Sequence, residues 1–333
     1  MSLYGKDLLE IMDFSSEELR QMLEVAKEFK KMKREGKAHN YLQGKNIAVL
    51  FEKTSTRTRC AFEVAAYDLG MNVTYLDPSG SQMGHKESIA DTARVLDRFY
   101  DGLEFRGYEQ KTVAKLARYA KSPVWNGLTD YCHPTQALAD FMTIEEHFGK
   151  LKGLTIAFVG DTRNNVANSL MAMSAKMGVN FIACGPEQRW PEIKLIEECQ
   201  KVAKENGASV KIVKNPKKMA GKVDVIFTDV WLSMGEAAEK WGERIDMLEE
   251  YRVDKEMMTM AGKETVFMHP LPSFHNLETR IAKEVYEKFG VKEMEVSNEV
   301  FESKRSLVFE EAENRMHTIK AVMFLTMYKK EEK

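Results

Sequence analysis

One short segment of the sequence combines two kinds of group that bind oxyanions. Ser55, Thr56 and Thr58 carry hydroxyls, and Arg57 carries a guanidinium whose forked donors suit phosphate. The segment follows the apolar run 46–51 and precedes a helical pattern, so backbone N–H groups at a helix start would also face a bound anion. The glycines and the Gly-Lys pair of a P-loop are missing. Taken alone, the segment is equally consistent with a helix cap followed by surface arginines.

Other polar segments of the first half also follow predicted strands, and open α/β sheets bind ligands beyond the carboxyl ends of their strands. The loop 77–88 is long, polar and glycine-bearing, as expected of a functional loop, and it contains Gln82. Arg106 stands at a strand end, and His133 stands at a helix start, where it could donate to a carbonyl oxygen. Each feature alone is more often structural than functional.

The second half offers three further polar strand ends. They are the turn 160–165, the segment 229–236 and the residues 269–272, which read His-Pro-Leu-Pro. The turn is not GxGxxG, so the sequence gives poor support for a nicotinamide cofactor. Because both halves supply polar strand ends, we predict a ligand site in a cleft between two domains. The cysteines form no CxxC pair or other metal-ligand spacing, so we expect reduced thiols and no metal.

The strands and helices that position these polar segments alternate along the sequence. This alternation predicts right-handed βαβ units and therefore parallel sheets. The pattern ends and restarts at 149–153, where we place a domain boundary. The predicted strands are 46–51, 72–76, 101–105, 123–126, 154–159, 179–184, 209–213, 224–228 and 266–268. The predicted helices are 17–31, 57–69, 87–98, 109–120, 134–148, 165–177, 191–205 and 309–328. Ser15 and Glu18 predict a capping box before the first helix.

The bulk properties agree with two globular domains. The chain has 333 residues, 44% hydrophobic and 30% charged, and domains average about 150 residues. A formal net charge of −2 gives no broad electrostatic basis for binding nucleic acid or membrane. The first residues lack the apolar core of a signal peptide, and no apolar run approaches the roughly 20 residues that span a bilayer. We therefore expect a cytoplasmic protein without nucleic-acid or membrane partners.

The ordered set of segments resembles the carbamoyltransferases over nearly the whole chain. Residues 51–59 are similar to the family's carbamoyl-phosphate motif, and 100–102, 106–107 and 133–136 match its other phosphate-side motifs. Within the family, the second half is more similar to the ornithine carbamoyltransferases than to the aspartate enzymes. That similarity is carried by residues 164–165, 229–235 and 311–317, and residues 125–130 of the first half also match the ornithine enzymes.

The resemblance implies both a fold and an activity. The fold has two α/β domains, each a mostly parallel sheet flanked by helices, joined by long helices, with the active site in the interdomain cleft. Residues 1–149 would bind carbamoyl phosphate, 150–308 would bind the amino acid, and the C-terminal helix 309–333 would pack back on the first domain. The reaction would transfer the carbamoyl group of carbamoyl phosphate to the side-chain amine of L-ornithine, giving L-citrulline and phosphate. It would need no cofactor or metal.

The resemblance also implies a role for individual residues. The catalytic residues would be Arg57, Arg106, His133 and Asp229. Carbamoyl phosphate would bind Ser55, Thr56, Arg57, Thr58, Gln82, Arg106, His133, Gln136, Leu271 and Arg315. Ornithine would bind Asn165, Asp229, Ser233 and Met234. The implied assembly is a homotrimer or a multiple of trimers, in which Gln82 is contributed to a neighbouring subunit's site.

Two places depart from the family's usual pattern. Ornithine enzymes usually have cysteine where this chain has Pro270, whereas aspartate enzymes have proline there, so carbamoyl transfer is implied more firmly than ornithine as acceptor. Tyr131 and Cys132 stand where an acidic residue and phenylalanine are usual. Two rival activities follow: transfer to another amine, such as putrescine or a modified ornithine, and a catalytically silent relative. The segment 229–235 favours a free α-amino acid, and the intact phosphate-side motifs favour catalysis.

Overall fold

The computed structural model describes residues 2–79, 83, 86–221, 223–233 and 235–329. The chain divides into two compact units, one formed by residues up to 142 together with those from 312, and the other by residues 143–311. Each unit contains one parallel β-sheet accompanied by helices, so the fold is the two-domain α/β class expected from the sequence.

The first unit is built on a four-stranded parallel sheet. Its strands are β1 (Asn46–Phe51), β2 (Asn72–Leu76), β3 (Gly102–Arg106) and β4 (Val124–Leu128). Its helices are α1 (Ser16–Arg34), α2 (Arg57–Asp68), α3 (Ile89–Leu96) and α4 (Gln110–Tyr119), with parts of α5 (Pro134–Phe148) and α12 (Val308–Met327). The strand order is β2-β1-β3-β4.

The second unit is built on a five-stranded parallel sheet. Its strands are β5 (Thr155–Val159), β6 (Asn180–Cys184), β7 (Val210–Val213), β8 (Val225–Phe227) and β9 (Val266–Met268). Its other helices are α6 (Asn165–Met177), α7 (Ile193–Glu205), α8 (Trp241–Leu248), α9 (Lys255–Ala261), α10 (Arg280–Phe289) and α11 (Asn298–Phe301). The strand order is β7-β6-β5-β8-β9.

In each sheet, the direction in which successive strands are added changes once. The position of this reversal determines which loops bring their polar side chains together. In the first sheet, β1 pairs with both β2 and β3, so the reversal lies between β1 and β3. In the second sheet, β5 pairs with both β6 and β8, so the reversal lies between β5 and β8. Parallel strands leave a crevice at such a point beyond their carboxyl ends. Loops that follow these four strands are therefore the ones brought together within each unit.

Apolar sequence runs account for the central strands β1 and β8, whereas β3 is buried although it contains Glu104 and Arg106. Residues 47–51 of β1 and all of β3 and β8 are buried, as expected of parallel strands covered on both faces. The predicted capping box is confirmed: Ser15 Oγ accepts from the N–H of Glu18 at 3.2 Å, and Glu18 Oε2 accepts from the N–H of Ser15 at 2.8 Å. The helices α8, α9, α10 and α11 are not among the predicted elements. No helix in the described part of the chain is long and apolar enough to cross a membrane.

Candidate active site

The loop after β1 places Ser55 and Thr56 at the start of α2. Ser55 Oγ accepts a hydrogen bond from the N–H of Thr58 at 3.2 Å, so Ser55 caps the first turn of the helix. Thr56, the residue before the helix, is exposed, and its side chain makes no capping bond. The helix-cap interpretation therefore holds for Ser55, while the hydroxyl of Thr56 faces solvent at the same helix start.

The two arginines in the first turn of α2, Arg57 and Arg59, have different surroundings. Arg57 is half-buried, and this burial lowers the pKa of its guanidinium. No hydrogen bond or ion pair joins Arg57 to another of the residues that the structure describes. Arg59 Nε instead donates to Glu63 Oε1 at 2.9 Å, and its guanidinium carbon lies 3.7 Å from the centre of the Tyr75 ring. Arg57 is therefore the guanidinium of this turn that can bind an anion.

The buried hydroxyl of Thr58 accepts hydrogen bonds from two further arginines. Arg106 Nη1, at the end of β3, lies 3.2 Å from Thr58 Oγ1. Arg315 Nη2, in α12, lies 3.0 Å from the same oxygen. Burial lowers the pKa of Arg106 to about 10, and the charge of Arg57 acts in the same direction against that of Glu104. The fold thus concentrates positive charge beside the mouth of α2, where an anion would be stabilised.

Gln136, in the first turn of α5, belongs to the same cluster. Its Oε1 accepts from Arg315 Nη1 at 2.9 Å, and its Nε2 donates to Asp140 Oδ1 at 2.8 Å. These two bonds fix which end of the amide faces Arg315. Asp140 is fully buried and was not singled out from the sequence. Its spacing of four residues from Gln136 along one helix is the signal that could have identified it.

His133 is a buried, neutral imidazole next to these arginines. Burial lowers the pKa of His133 well below its ordinary value, and the charges of Arg315, Arg106 and Arg57 lower it further. Its Nδ1 lies 3.3 Å from Thr135 Oγ1. When the hydroxyl of Thr135 donates to Nδ1, the Nε2 of His133 carries the proton. The ring can then donate one hydrogen bond without adding a full charge to the site.

Glu104 is a buried acid that the sequence analysis missed. It lies on β3, fully buried, and neither of its carboxyl oxygens has a hydrogen-bond partner among the described residues. Burial raises its pKa well above the ordinary value, although Arg106 and Arg315 oppose that change. A Cβ atom at Gly127 would lie 1.9 Å from Glu104 Oε1, so this acid requires glycine on the neighbouring strand. An acidic residue inside a buried strand was the available sequence signal.

In the second unit, Asp229 follows β8 and meets the turn that follows β5. Asn164 Nδ2 donates to Asp229 Oδ2 at 3.1 Å, and the N–H of Val230 donates to Asp229 Oδ1 at 2.8 Å. Asn164 also caps α6 through Oδ1, which accepts from the N–H of Ala167 at 2.7 Å. Burial raises the pKa of Asp229 to about 7, and the neighbouring His269 opposes this rise. The reversal point of the second sheet therefore holds a carboxyl group that titrates near neutral pH.

His269 follows β9 and is completely buried. Its Nε2 lies 3.2 Å from Glu295 Oε1, and its backbone N–H donates to Glu311 Oε2 at 3.1 Å. Glu295 is held by the hydroxyl of Ser273 at 2.9 Å and the N–H of Phe274 at 2.6 Å. Glu295 was not predicted, because nothing near it in the sequence indicates which strand end it faces.

The remaining predicted residues are placed as follows. Asn165 begins α6 beside Asn164 and is partly buried. Ser233 lies in the loop after β8, and Leu271 is partly buried against the apolar core of the second unit. Gln82 and Met234 lie outside the described residues. Within the described ranges, the chain has no group of three or more His, Cys, Asp or Glu side chains that could hold a metal ion.

Two family models match this chain over most of its length. Residues 6–146 match the aspartate/ornithine carbamoyltransferase carbamoyl-P binding domain, and residues 152–326 match the Asp/Orn binding domain of the same enzymes. The chain belongs to the aspartate/ornithine carbamoyltransferase family. The resemblance first indicated by the phosphate-side motifs is thereby confirmed.

Named relatives of this family cover nearly the whole chain. A protein of Treponema denticola named "Ornithine carbamoyltransferase, catabolic" is 57% identical over 98% of this chain and 96% of its own length. A protein of Bacillus cereus with the same name is 53% identical over 98% of this chain and 97% of its own length. The solved structure of ornithine carbamoyltransferase from Pyrococcus furiosus has a TM-score of 0.90 and 42% identity, covering 98% of each chain.

Proposed function

We propose that this chain transfers the carbamoyl group of carbamoyl phosphate to the side-chain amine of L-ornithine, giving L-citrulline and phosphate. The observation that carries the proposal is the pair of hydrogen bonds from Arg106 and Arg315 to Thr58, beside the Arg57 guanidinium, which pairs with none of the described residues. These contacts support a site for a phosphorylated carbonyl compound in this proposal. The names of relatives at 53–57% identity support ornithine as the acceptor.

The domains divide the two substrates between them in this proposal. Residues 1–149, with the helix 309–333 packed back on them, bind carbamoyl phosphate, and residues 150–308 bind ornithine. The phosphate is held by Ser55, Thr56, Arg57, Thr58 and Arg106, with Gln82 supplied to a neighbouring subunit's site. The carbamoyl group is held by Gln136, the carbonyl of Leu271 and Arg315. The acceptor is held by Asn165, Asp229, Ser233 and Met234.

The chemical step forms one bond and breaks another. The lone pair of the neutral amine attacks the carbonyl carbon, and the carbon–oxygen bond to phosphate then breaks. Charge grows on the carbonyl oxygen, which Thr58, Arg106 and His133 face as hydrogen-bond donors. Removing one such donor typically lowers the rate by a factor of about 10²–10³. Because His133 stays neutral, it donates without competing with the arginines for the phosphate.

Proton balance is completed by the leaving group. The attacking amine loses a proton as the new carbon–nitrogen bond forms, and the departing phosphate accepts it. An alkyl amine is mostly protonated at neutral pH, so the site must bind the amine in its neutral form. Asp229 orients the amino acid, and its raised pKa lets it exchange a proton near neutral pH. The step needs neither metal nor cofactor. We place the enzyme in the cytoplasm, as a homotrimer or a multiple of trimers.

The test of the phosphate site compares two neighbouring arginines. We expect Arg57→Gly to lower carbamoyl transfer by at least about a hundredfold, because a charged donor to the phosphate is lost. Arg59→Gly is the matched control, since Arg59 is engaged by Glu63 and Tyr75 and should leave turnover within about twofold. Circular dichroism and melting temperature check that both variants fold. Near-normal turnover by Arg57→Gly would refute the assigned phosphate site.

The test of the acceptor is a panel of amines with labelled carbamoyl phosphate. L-Ornithine should give the highest kcat/KM, ahead of putrescine and an acylated ornithine, because Asp229 and Ser233 suit a free α-amino acid. Pro270→Cys shows whether a thiol at this position changes the order of acceptors. A higher kcat/KM with putrescine than with ornithine would reassign the acceptor while leaving carbamoyl transfer intact.

A further inference from the structure

A chain of ion pairs in the second unit runs from the end of β5 to the loop that carries Ser233. Arg189 Nε donates to Asp161 Oδ1 at 2.8 Å, and its Nη2 also bonds Oδ2 of the same carboxylate. Arg244, in α8, places Nη1 3.8 Å from Asp161 Oδ2 and donates through Nη2 to Glu236 Oε1 at 2.7 Å. Asp161 and Arg244 are only 2% and 4% exposed.

Glu236 connects this cluster to the backbone of the proposed acceptor loop. Its second carboxylate oxygen, Oε2, accepts from the N–H of Ser233 at 3.0 Å. In return, the N–H of Glu236 donates to the carbonyl oxygen of Ser233 at 3.1 Å. These reciprocal bonds join Ser233 to Glu236, and the bond from Arg244 anchors Glu236 to α8.

The anchoring bond differs from an ordinary surface ion pair. Burial would raise the pKa of Glu236, but the N–H of Ser233 and the guanidinium of Arg244 lower it below its ordinary value. Lys240 Nζ also lies 3.5 Å from Glu236 Oε1, but half of the Lys240 side chain is exposed. Exposed pairs of that kind contribute little to stability, whereas a partly buried charge-assisted hydrogen bond such as that from Arg244 contributes more. Arg244 is therefore the partner that holds Glu236.

We propose that Glu236 and Arg244 are positioning residues that hold the backbone of Ser233 in the place where it receives the amino-acid acceptor. The inference rests on the proposed role of Ser233 in acceptor binding. A backbone that is already held loses less conformational freedom when a ligand binds, and a larger share of the free molecules is competent to bind. The pair thus raises the affinity for the acceptor without touching the acceptor itself.

The kinetic test separates the two substrates. Glu236→Gln keeps the size of the side chain but removes the charge that pairs with Arg244. We expect the KM for ornithine to rise by about tenfold, as for the loss of one charge-assisted hydrogen bond, with the KM for carbamoyl phosphate and kcat within about twofold. Arg244→Lys should give the same pattern. Lys240→Ala is the matched control, because it removes only the exposed partner of the same carboxylate.

A double-mutant cycle and hydrogen exchange complete the test. Glu236 and Arg244 form one link, here called the tether, between Ser233 and α8. If they act together, the double variant Glu236→Gln/Arg244→Lys should raise the KM for ornithine no more than the single variant with the larger effect does. The Ser233 amide should exchange at least about tenfold faster in Glu236→Gln than in Lys240→Ala, since its hydrogen bond is weakened. An unchanged KM for ornithine in both single variants, or unchanged exchange at Ser233, overturns the proposal.

The exchange measurement also keeps this inference separate from the proposed function. If the wild-type chain forms no citrulline from carbamoyl phosphate and ornithine, the proposed function fails. The tether is then judged by exchange at Ser233 alone. If the wild-type chain forms citrulline but Glu236→Gln behaves like Lys240→Ala, only the tether fails. Unfolding in urea confirms that each variant is compared in its folded form.

Discussion

The fold raises the pKa of the Asp229 carboxyl group, so this group ionises at a higher pH than in the unfolded chain. Its pKa is raised from 3.8 to about 7, so the folded chain holds this proton more tightly than the unfolded chain does. Unfolding therefore releases the proton, and the contribution of Asp229 to stability falls as the pH rises from about 4 to about 7. Above that window the carboxylate is charged and can bind an ammonium group of the proposed acceptor.

Asp229→Asn should remove this pH dependence. We expect the free energy of unfolding of the variant to exceed that of the wild type at pH 8, with the difference shrinking towards pH 4. The slope cannot exceed about 1.4 kcal/mol per pH unit for one proton. Urea unfolding across this range measures the difference, and Asp246→Asn, at an exposed aspartate of α8, is the control. A difference that stays constant with pH would show that Asp229 ionises normally.

The same variant should fail in catalysis while it gains stability. Carbamoyl transfer to ornithine by Asp229→Asn is expected to fall by at least about a hundredfold, because the group proposed to orient the amino acid has lost its charge. A lower rate in a more stable protein distinguishes a functional role from a structural one, since a structural residue would lose both. Wild-type turnover in the variant would remove Asp229 from the mechanism.

At the scale of single residues, the sequence indicated functional side chains more readily than the residues that form hydrogen bonds with them. The motif resemblance singled out Asp229, but the contact from Asn164 spans 65 residues and exists only because β5 and β8 are neighbours in the sheet. Glu104, Asp140 and Glu295 were missed for a related reason. Each is a buried acid whose surroundings come from other elements, and one sequence does not show which elements adjoin.

The helix α12 contributes both to the site and to the core of the first unit. Arg315 reaches Thr58 and Gln136, and Lys30 Nζ donates to Asn314 Oδ1 at 2.7 Å. Five residues after Arg315, Lys320 bonds Asp68, and its Nζ lies 2.9 Å from His39 Nε2. The element that supplies Arg315 is thus fixed by buried polar contacts on either side of it.

Two lysines that share Asp68 allow the contribution of this helix contact to be measured. The Lys320 side chain is 0% exposed, whereas that of Lys33 is 37% exposed. We expect Lys320→Ala to lower the free energy of unfolding by about 2 kcal/mol, because it removes a buried ammonium group and its charged hydrogen bond to Asp68. Lys33→Ala should lower it by less than about 1 kcal/mol. Urea unfolding measures both, and equal effects would contradict the role given to burial.

Most strands and helices could be predicted from the sequence, and the agreement of their first and last residues with the structure shows why. The strand at 266–268 and the helices at 134–148 and 165–177 were predicted to the residue, because apolar runs or periodic stretches end there at polar or glycine residues. The helices α8, α9 and α11 were missed because each has eight residues or fewer, too few to establish a helical period. The positions of these three helices depend on packing against the second sheet rather than on local sequence. The helix α10 was missed although Ile281, Val285 and Phe289 recur at a spacing of four, which was an available signal.

At the scale of the whole molecule, the proposed trimer predicts that separate defects can complement each other. If Arg57 and Gln82 belong to different chains of one site, co-expressed Arg57→Gly and Gln82→Ala chains should regain about a quarter of the wild-type sites by random assembly. Each variant alone should stay inactive. Co-expression of Arg57→Gly with the double variant Arg57→Gly/Gln82→Ala is the matched control and should regain none.

Light scattering should give a mass of three chains or a multiple of three for the wild type and for the mixed sample. A single-chain mass, or mixed samples no more active than their parents, would contradict sites shared between subunits.

The link between Thr58 and Arg315 also bears on the order of events during translation. The two residues are 257 positions apart, yet they share a hydrogen bond. At a synthesis rate of about 5–20 residues per second, Arg315 is made roughly 10–50 s after Thr58. A growing polypeptide that has already formed the first sheet therefore lacks one of the guanidinium groups around Thr58. In the proposed function, the site for carbamoyl phosphate would therefore be complete only after α12 has been synthesised.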